Sequence, residues 1–381
     1  MITGKGASVT LNTCGVCNNE AVMEAFRFEN MSSVAQNLPD KDSLSSDYGI
    51  TLDLCVCPYC GVAFLDAEPV EYYREVIRAV GVSEEIKSAK HKQFREFCEK
   101  YDLSDKRIIE IGCGDGSFLE ILACHASKAF GIEFSADSVS KCQDRGLSVF
   151  QGFISGDDYR ICEERYDGFM LLMFLEHIPQ PRAFLKGIYN NLNDDAVGLI
   201  EVPDSEMVFS NGLYAEIMRD HLYYFDKRSL TALVSSCGFE VIEHNTIRDG
   251  YVLSLTVRKK RIDQLSGIGD YIEKVKSSFN GVFGKYKEIA VWGASHQTFF
   301  LLSQIGDTSK ISYIIDSAEF KQGKYSPVSH IPICEYGDDM QCGAVIVSAG
   351  SYNAEIVDIL RKKHGYAGDV YVFEIDTLRI V

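Results

Sequence analysis

Three glycines and two acids have the types and spacing to bind a small ligand. The run EIGCGDGSFL begins at Glu110 and places glycines at Gly112, Gly114 and Gly116, and a second short apolar run ends at Glu133. Glycines lack Cβ, so the loop can turn tightly and approach a ligand. An acid about twenty residues later can accept hydrogen bonds from ribose hydroxyls. The G-x-G-x-G spacing behind an acid suits a cationic ligand without phosphate, whereas a pyrophosphate prefers G-x-G-x-x-G.

Two pairs of cysteines near the N-terminus have the spacing of a metal site. They are Cys14-Gly-Val-Cys17 and Cys57-Pro-Tyr-Cys60. Each C-x-x-C turn brings two thiolates together, and four thiolates complete a closed, tetrahedral zinc site with a structural role. Cys55 is a competing ligand, and a single C-x-x-C pair can also be a redox-active dithiol. The presence of two pairs favours zinc.

The elements that must position these residues alternate between strands and helices. The pattern predicts strands at 107–111, 128–132, 147–150, 167–173 and 197–202, helices at 116–124, 135–145 and 182–192, and a late antiparallel pair formed by 238–241 and 251–259. Such alternation predicts an α/β fold with a parallel sheet. The segment 69–100 has helical spacing and leads into this core. Within it, Arg74 and Arg78 lie four apart and are candidates for a phosphate contact or for a solvated, salt-bridged face.

A second strand–glycine–helix pattern follows a charged, helical linker near 258–275. It begins at 287–302 and continues with predicted strands at 312–317, 344–350 and 369–376. Its first turn, Gly293-Ala294-Ser295, lacks a dinucleotide fingerprint, so we do not assign NAD to it. We expect three domains: a zinc-binding domain at 1–68, a ligand-binding core at 69–262 and a smaller Rossmann-like domain at 263–381.

Composition and charge exclude several classes of protein. Hydrophobic residues make up 46% of the 381 residues and charged residues 24%, as in ordinary globular proteins. The formal net charge of −17 argues against nucleic-acid binding, which needs a basic face. No signal peptide and no membrane-spanning apolar run are found. Thirteen cysteines suggest a reducing cytoplasm with metal ligation rather than disulfides. We expect a monomer or homodimer.

The glycine segment resembles motif I of class I S-adenosylmethionine (SAM) methyltransferases. The later stretch FMLLMFLEHIPQP at 169–181 strengthens this resemblance. It implies a Rossmann-like methyltransferase core with SAM lying over the glycine loop. The cofactor contacts it implies are Glu110, Gly112, Gly114, Asp115, Gly116, Glu133, Phe174 and His177.

The order of the segments along the chain resembles the sugar C-methyltransferase family. Three further stretches carry this resemblance: DHLYYFDKRSL at 220–230, VWGASHQTFFLL at 291–302 and DSAEFKQGKYSPVSHIPI at 316–333. The resemblance implies a nucleotide-linked 4-keto deoxy sugar as substrate, bound with the help of the C-terminal domain. One departure is that His296-Gln297-Thr298 replaces the family's lysine-glycine-asparagine.

The resemblance also implies a mechanism. A ketone acidifies the proton on the neighbouring carbon, a base removes it, and the enolate carbon attacks the SAM methyl group. His221 matches the family's histidine and is the candidate base, with Asp220 beside it and Tyr224 following. The family often has a tyrosine where this chain has Met218, which cannot transfer a proton. The tyrosines that could supply a hydroxyl instead are Tyr72, Tyr73, Tyr214 and Tyr223, and we take Tyr73 as the candidate.

Two other functions stay open. In a sugar O-methyltransferase, His221 would deprotonate a hydroxyl and no ketone is required. In a zinc-ribbon binding module, the SAM domain would be vestigial or regulatory. The complete set of loop glycines with Glu110 and Glu133 argues against the binding module.

Overall fold

The computed structural model of the chain describes residues 9–10, 13–36, 38–75, 82–261, 265–337 and 340–381. The chain divides into two units, Met1–Arg261 and Ile262–Val381. The first unit contains, in chain order, β1 (Val9–Thr10), β2 (Val22–Met31), β3 (Ile50–Val56), β4 (Ala63–Leu65), α1 (Glu84–Lys100), β5 (Arg107–Ile111), α2 (Ser117–Ala123), β6 (Lys128–Glu133), α3 (Ala136–Asp144), β7 (Val149–Gln151), β8 (Tyr166–Leu172), α4 (Pro181–Asn190), β9 (Leu192–Pro203), α5 (Ser205–Ser210), β10 (Tyr223–Tyr224), α6 (Lys227–Ser236), β11 (Phe239–Ile247) and β12 (Val252–Lys259).

The large sheet of this unit confirms the predicted fold class. Its strand order is β11-β12-β9-β8-β5-β6-β7. The strands from β9 to β7 are parallel, and β12 and β11 add an antiparallel edge. Strands β5 and β8 are nearly continuous apolar runs because both faces of the sheet are covered. The carboxyl ends of β5, β6 and β8 lie at one edge of the sheet, where ligands bind in open α/β folds.

A smaller antiparallel sheet joins the N-terminal segment to the core of the same unit. Its order is β1-β2-β3-β4-β10, and Tyr223 of β10 pairs with Phe64 of β4. The strand that follows His221 is therefore part of the sheet that carries the cysteines. The sequence pattern does not predict this pairing, because β10 is only two residues long and its partner is distant in the chain. The domain boundary at residue 68 stays a prediction.

The helix predicted within 69–100 begins later than expected. It starts at Glu84 because Ser83 is its N-cap and accepts a hydrogen bond from the Ile86 N–H at 3.3 Å. Two glutamates occupy its first turn, where the helix dipole favours them. Residues 71–74 form a turn instead. Arg78 lies outside the described residues.

The second unit is a smaller α/β fold. Its elements are α7 (Ile268–Phe283), β13 (Ile289–Trp292), α8 (His296–Ile305), β14 (Ile311–Ile315), β15 (Ile333–Cys334), β16 (Ala344–Val347), α9 (Asn353–Asp358), β17 (Asp369–Glu374) and β18 (Thr377–Ile380). The sheet order is β15-β14-β13-β16-β17-β18, parallel except for β18. The predicted glycine turn follows β13 and precedes α8. No helix in the described parts of the chain is both long enough and apolar enough to cross a membrane.

Candidate active site

The glycine loop after β5 is held against the acid at the end of β6. Gly112, Gly114 and Gly116 all have positive φ, at 69°, 53° and 76°. A Cβ on the last of these would lie 2.7 Å from the sulfur of Cys142, so the position needs glycine. The Glu133 carboxylate accepts hydrogen bonds from the N–H groups of Gly114 and Ser135, both at 2.9 Å. The predicted loop and acid therefore form one structure.

A small cavity lies directly in front of this loop. Its lining includes two glycines, three aromatic rings and one acid: Gly112, Gly152, Phe134, Phe153, Phe174 and Glu133. Aromatic faces can stack on a nucleobase, and Glu133 is only 1% exposed, with burial raising the pKa of its carboxyl. The lining therefore offers aromatic rings and a carboxylate, the kinds of group that contact the base and the ribose of a nucleoside. Phe174, a predicted cofactor contact, lines this cavity.

Arg74 covers this cavity from the turn before α1. Its guanidinium lies 5.6 Å from the ring centroid of Phe134 and 5.5 Å from that of Phe153, within the range of cation–π attraction. A second cavity next to the first is lined by the same arginine and the same two rings. The sequence suggests a phosphate contact or a solvated, salt-bridged face for Arg74. It does not predict these ring contacts, because the approach of this turn to the loop after β6 is a tertiary contact.

Two more of the predicted cofactor residues, Glu110 and Asp115, have different surroundings. Glu110 is 1% exposed, and its charge acts on Lys90, whose ammonium pairs with Glu201 in the interior. Asp115 is exposed, and its carboxylate accepts the Ser117 N–H at 3.0 Å. Glu110 therefore places negative charge beneath the loop, whereas Asp115 binds the backbone N–H of Ser117, the first residue of α2.

A second group of polar side chains lies at the same edge of the sheet, three residues beyond Phe174. The His177 ring lies 4.8 Å from the His221 ring, centroid to centroid. Nδ1 of His177 is 2.7 Å from the backbone carbonyl of Asp220; a carbonyl only accepts, so Nδ1 carries the proton. The Asp220 carboxylate accepts the Tyr72 hydroxyl at 2.8 Å and the Ala35 N–H at 3.1 Å.

Burial sets the protonation of this group. Burial and the neighbouring His177 lower the pKa of His221 to about 3, and burial lowers the pKa of His177. Both imidazoles are therefore neutral near pH 7. Burial, with the hydrogen bond to Asp220, raises the pKa of Tyr72 to about 12, and burial raises the pKa of Glu176 to about 8.

The structure does not bring Tyr73 into this group. The Arg74 guanidinium donates to the Tyr73 hydroxyl at 3.1 Å, and the Tyr73 ring packs edge-on against Phe153. Tyr72, the preceding residue, supplies the hydroxyl beside Asp220. Residue spacing could not choose between them, because both lie in an irregular turn rather than in a helix.

Tyr224 lies close to His221 but its hydroxyl is occupied. The rings are 6.2 Å apart. The Tyr224 hydroxyl accepts the Met218 N–H at 3.0 Å and donates to the Met218 carbonyl at 3.3 Å. These bonds hold the loop that carries Asp220 and His221, so the geometry gives Tyr224 a positioning role.

The four predicted zinc ligands converge from two connections of the small sheet, one between β1 and β2 and the other between β3 and β4. Sulfur–sulfur distances are 3.6 Å for Cys14–Cys60 and 3.5 Å for Cys17–Cys57, and all four sulfurs lie within 4.8 Å of one another. Tetrahedral zinc with bonds of 2.3 Å separates its sulfurs by about 3.7 to 3.8 Å, so the set fits this ion. A hydrogen bond from the Cys60 thiol lowers the pKa of Cys14 to about 5.

Comparison with known protein families identifies the family to which this chain belongs. The model of the methyltransferase domain family matches residues 50–244, slightly more than half of the chain. The chain belongs to this family. It is a SAM-dependent methyltransferase, as the glycine loop and Glu133 predict. A second model, the C-methyltransferase C-terminal domain, matches residues 262–373.

Curated relatives match only part of the methyltransferase. The ubiquinone biosynthesis O-methyltransferase of Pseudomonas savastanoi pv. phaseolicola is 28% identical over 96 residues, which are 24% of this chain and 41% of that protein. That of Hydrogenovibrio crunogenus is 29% identical over 96 residues, 24% of this chain and 40% of that protein. The chain spans about two fifths of the length of these relatives.

Two solved structures of other methyltransferases are similar to part of the chain. A SAM-dependent methyltransferase from Clostridium acetobutylicum has 11% identity and a TM-score of 0.38, covering 48% of this chain and 94% of that one. Magnesium protoporphyrin IX methyltransferase from Synechocystis, with bound S-adenosylhomocysteine (SAH), has 14% identity and a TM-score of 0.38, covering 49% and 91%.

The second unit of the methyltransferase has a cavity of its own at the carboxyl ends of β13, β14 and β16. Among its lining residues are Trp292, Asp316, Lys321, Tyr336 and His364. The Trp292 and Tyr336 rings stack at 5.7 Å. Lys321 pairs with Asp316 at 2.9 Å. The second unit thus repeats the glycine turn and the acid of the first unit, after β13 and β14, but it lacks a dinucleotide fingerprint.

Proposed function

We propose that this methyltransferase transfers the SAM methyl group to a carbon beside the ketone of a nucleotide-linked 4-keto deoxy sugar. The observation that carries the proposal is the polar group at the edge of the large sheet. His177, His221, Asp220 and Tyr72 contact one another in series, and His177 follows Phe174 of the cofactor cavity by three residues. In the proposed reaction, these acid–base groups act on a substrate bound beside the methyl donor.

The chemistry assigns one role to each of these groups. The unprotonated nitrogen of His221 accepts the proton from the carbon next to the ketone, and the electron pair of that bond forms the enolate. The enolate carbon attacks the SAM methyl group, the carbon–sulfur bond breaks, and SAH leaves with that electron pair. His177 and Asp220 hold His221 in place, and the Tyr72 hydroxyl fixes the Asp220 carboxylate.

The match of the second unit supports methylation at carbon. Residues 262–373 match the C-methyltransferase C-terminal domain, and the sugar substrate is an inference from the resemblance of the whole chain. Beside this, we propose that Cys14, Cys17, Cys57 and Cys60 hold a structural zinc ion, since four thiolates leave it no open position for catalysis.

A sugar O-methyltransferase is the second candidate. Met218 replaces a family tyrosine, so one proton donor expected for the ketone chemistry is missing. The curated relatives are O-methyltransferases, although they match only 96 residues. In this reaction the same His221 would take the proton of a sugar hydroxyl and the oxygen would attack the methyl group.

The position of the new methyl group decides between the two. The protein is incubated with ¹³C-methyl-labelled SAM and a panel of 4-keto and 4-hydroxy nucleotide sugars, and the labelled carbon is located by NMR. Carbon methylation, with solvent deuterium exchanging at the carbon beside the ketone, supports the proposal. A methoxy carbon signal identifies the O-methyltransferase, and no transfer to any sugar contradicts both.

The role of His221 is tested by its substitution. We expect His221→Asn to lower the turnover by roughly 10² to 10⁴ fold, the usual contribution of a general base, while SAM affinity stays unchanged. His244→Asn is the matched control, since its ring contacts Thr231 at 3.0 Å away from this group. Wild-type turnover in His221→Asn would leave this histidine a structural role only.

A further inference from the structure

Three side chains at the edge of the large sheet form a second group with metal-binding chemistry. Glu176, His177 and His221 each bring one ligand atom to within 4.8 Å of the others. Glu176 and His177 are neighbours in a 3₁₀ turn after β8, and His221 approaches them from the loop before β10. No cysteine is included, so this group differs in its donors from the four-cysteine cluster.

The orientation of His177 is that of a metal ligand. Nδ1 is bound to the Asp220 carbonyl at 2.7 Å, so in the neutral ring the free lone pair lies on Nε2. Metal-ligating histidines are usually fixed in this way, with the other ring nitrogen donating to a carbonyl or a carboxylate. Nε2 of His177 lies 4.0 Å from Oε1 of Glu176.

The Glu176 carboxylate lacks the partners that a buried acid normally has. It is 1% exposed, and Oε2 has no hydrogen-bond partner within the described residues. In the same part of the chain, no lysine or arginine forms an ion pair with it; His177 alone lies within range. Ionising a buried carboxyl without a partner is costly, and a bound cation would offset that cost.

His221 completes the group from the opposite side. Its ring lies 4.8 Å from that of His177, and no hydrogen bond to either ring nitrogen is found among the described residues. It is half-buried, so part of it is accessible from solvent. One of its nitrogens is therefore available to a ligand.

We propose that Glu176, His177 and His221 bind one divalent transition-metal ion. Two imidazoles and one carboxylate are the donors of the facial triad that holds Fe²⁺ and similar ions while leaving positions open. Bonds of 2.0–2.2 Å separate ligand atoms by about 3 to 3.5 Å, so the side chains must close by roughly 1 Å. The ion would take the lone pair that His221 needs to accept a proton, so the loaded site is an inhibited form of the enzyme.

The experiment uses the zinc-loaded protein without substrate, so it stands or fails separately from the proposed function. Co²⁺ is the probe, and both metals are measured after equilibrium dialysis. We expect one Co²⁺ per chain in addition to the zinc. Glu176→Gln keeps the shape of the side chain and removes its charge, and we expect it to weaken Co²⁺ binding at least tenfold. His244→Asn should bind Co²⁺ as the wild type does.

A second variant guards against a Glu176→Gln protein that fails to fold. His221→Asn removes a ligand from the half-buried side of the group, and it should lose Co²⁺ while retaining zinc and SAM binding. No Co²⁺ beyond the zinc site in the wild type would overturn the proposal. Wild-type Co²⁺ affinity in both Glu176→Gln and His221→Asn would overturn it as well, because the ion would then lie elsewhere.

Discussion

The parallel sheets of the two units end in the same backbone arrangement. In the first unit, the Gly112 N–H donates to the Ile132 carbonyl at 2.9 Å. In the second, the Gly293 N–H donates to the Ile315 carbonyl at 2.8 Å. In each case the glycine follows the central strand and the carbonyl belongs to the last residues of the neighbouring strand.

The acid after the neighbouring strand also repeats. Glu133 accepts the N–H of Gly114 at 2.9 Å, and Asp316 accepts the N–H of Ala294 at 2.8 Å. Each carboxylate accepts a further N–H from the residue two positions later. This joining of loop and acid is therefore a property of the fold and does not identify the ligand.

The two units differ in the charges around this common frame. Glu110 lies two residues before Gly112, and the equivalent position before Gly293 is the apolar Val291. Lys321 pairs with Asp316, whereas Glu133 has no such ion pair in the described part of the chain. The first site is acidic and suited to a sulfonium cation, while the acid of the second is already neutralised. We therefore expect the side chains beside the frame, rather than the frame itself, to determine which unit binds SAM.

The largest expected difference between the units comes from the metal. Cys57→Ser should remove the zinc and destabilise the first unit by several kcal/mol, since structural zinc contributes about 10 to 16 kcal/mol in small domains. The second unit should unfold as before. Its unfolding is followed by the fluorescence of Trp292, the single tryptophan of the chain, while zinc release and circular dichroism follow the first.

Cys55→Ser is the matched control for this change. Cys55 is buried in the same sheet but lies outside the four-cysteine cluster, so its loss should leave zinc in place. A Trp292 transition that moves together with zinc loss would show that the two units do not unfold separately. Protein purified without zinc would contradict the metal assignment itself.

The next expected effect concerns the two equivalent acids. Glu133→Ala should weaken SAM binding more than tenfold, because hydrogen bonds to a charged group contribute about 1.5 to 3 kcal/mol each. Asp316→Ala should leave SAM affinity unchanged, although it removes the same backbone contact from the second unit. Calorimetric titration of both variants measures the difference. Equal losses of SAM affinity would show that the charges do not distinguish the two sites.

The sequence predicts the parts of this molecule that are local in the chain. Loop glycines, the acid after the next strand and the cysteine pairs lie within short segments, and the structure brings each set together. The contact between Tyr72 and Asp220 was not predicted, because it joins residues 148 positions apart and depends on a turn without a periodic pattern. Glu176 was missed for another reason: its importance comes from burial without a partner, which only the packed structure shows.

A smaller effect is expected from the ion pair of the second unit. Burial acts to raise the pKa of Asp316, but Lys321 and two backbone N–H donors outweigh it and hold the pKa below its usual value. Such a carboxylate stabilises the fold above its unfolded pKa of about 3.9, and this contribution is lost as the pH falls through the lower folded value. Asp316→Asn should therefore destabilise the second unit by about 1 to 3 kcal/mol at pH 7.

At acidic pH, the stability of the Asp316→Asn variant should approach that of the wild type. Urea unfolding followed by Trp292 fluorescence is repeated from pH 7 to pH 3, and we expect the difference between Asp316→Asn and wild type to narrow below about pH 4. Lys321→Met is the companion variant, since it raises the folded pKa of Asp316 and should move this narrowing to higher pH. If the difference in free energy of unfolding between Asp316→Asn and wild type were constant from pH 7 to pH 3, the charge of the carboxylate would contribute nothing to stability.

The smallest expected effect is a gain of stability, again confined to the second unit. Val328 has φ of 65° and is 81% exposed, so a β-branched side chain occupies a left-handed turn without packing in return. The left-handed conformation costs an L-residue roughly 1 to 2 kcal/mol, and glycine avoids this cost. Glycine also loses more conformational entropy on folding, which offsets about 0.5 to 1 kcal/mol of the gain. Val328→Gly should thus stabilise the unit by up to about 1 kcal/mol, measured by Trp292 fluorescence in urea. Val328→Ala, which keeps Cβ, should give little gain, whereas a less stable Val328→Gly would show that the side chain has a stabilising contact.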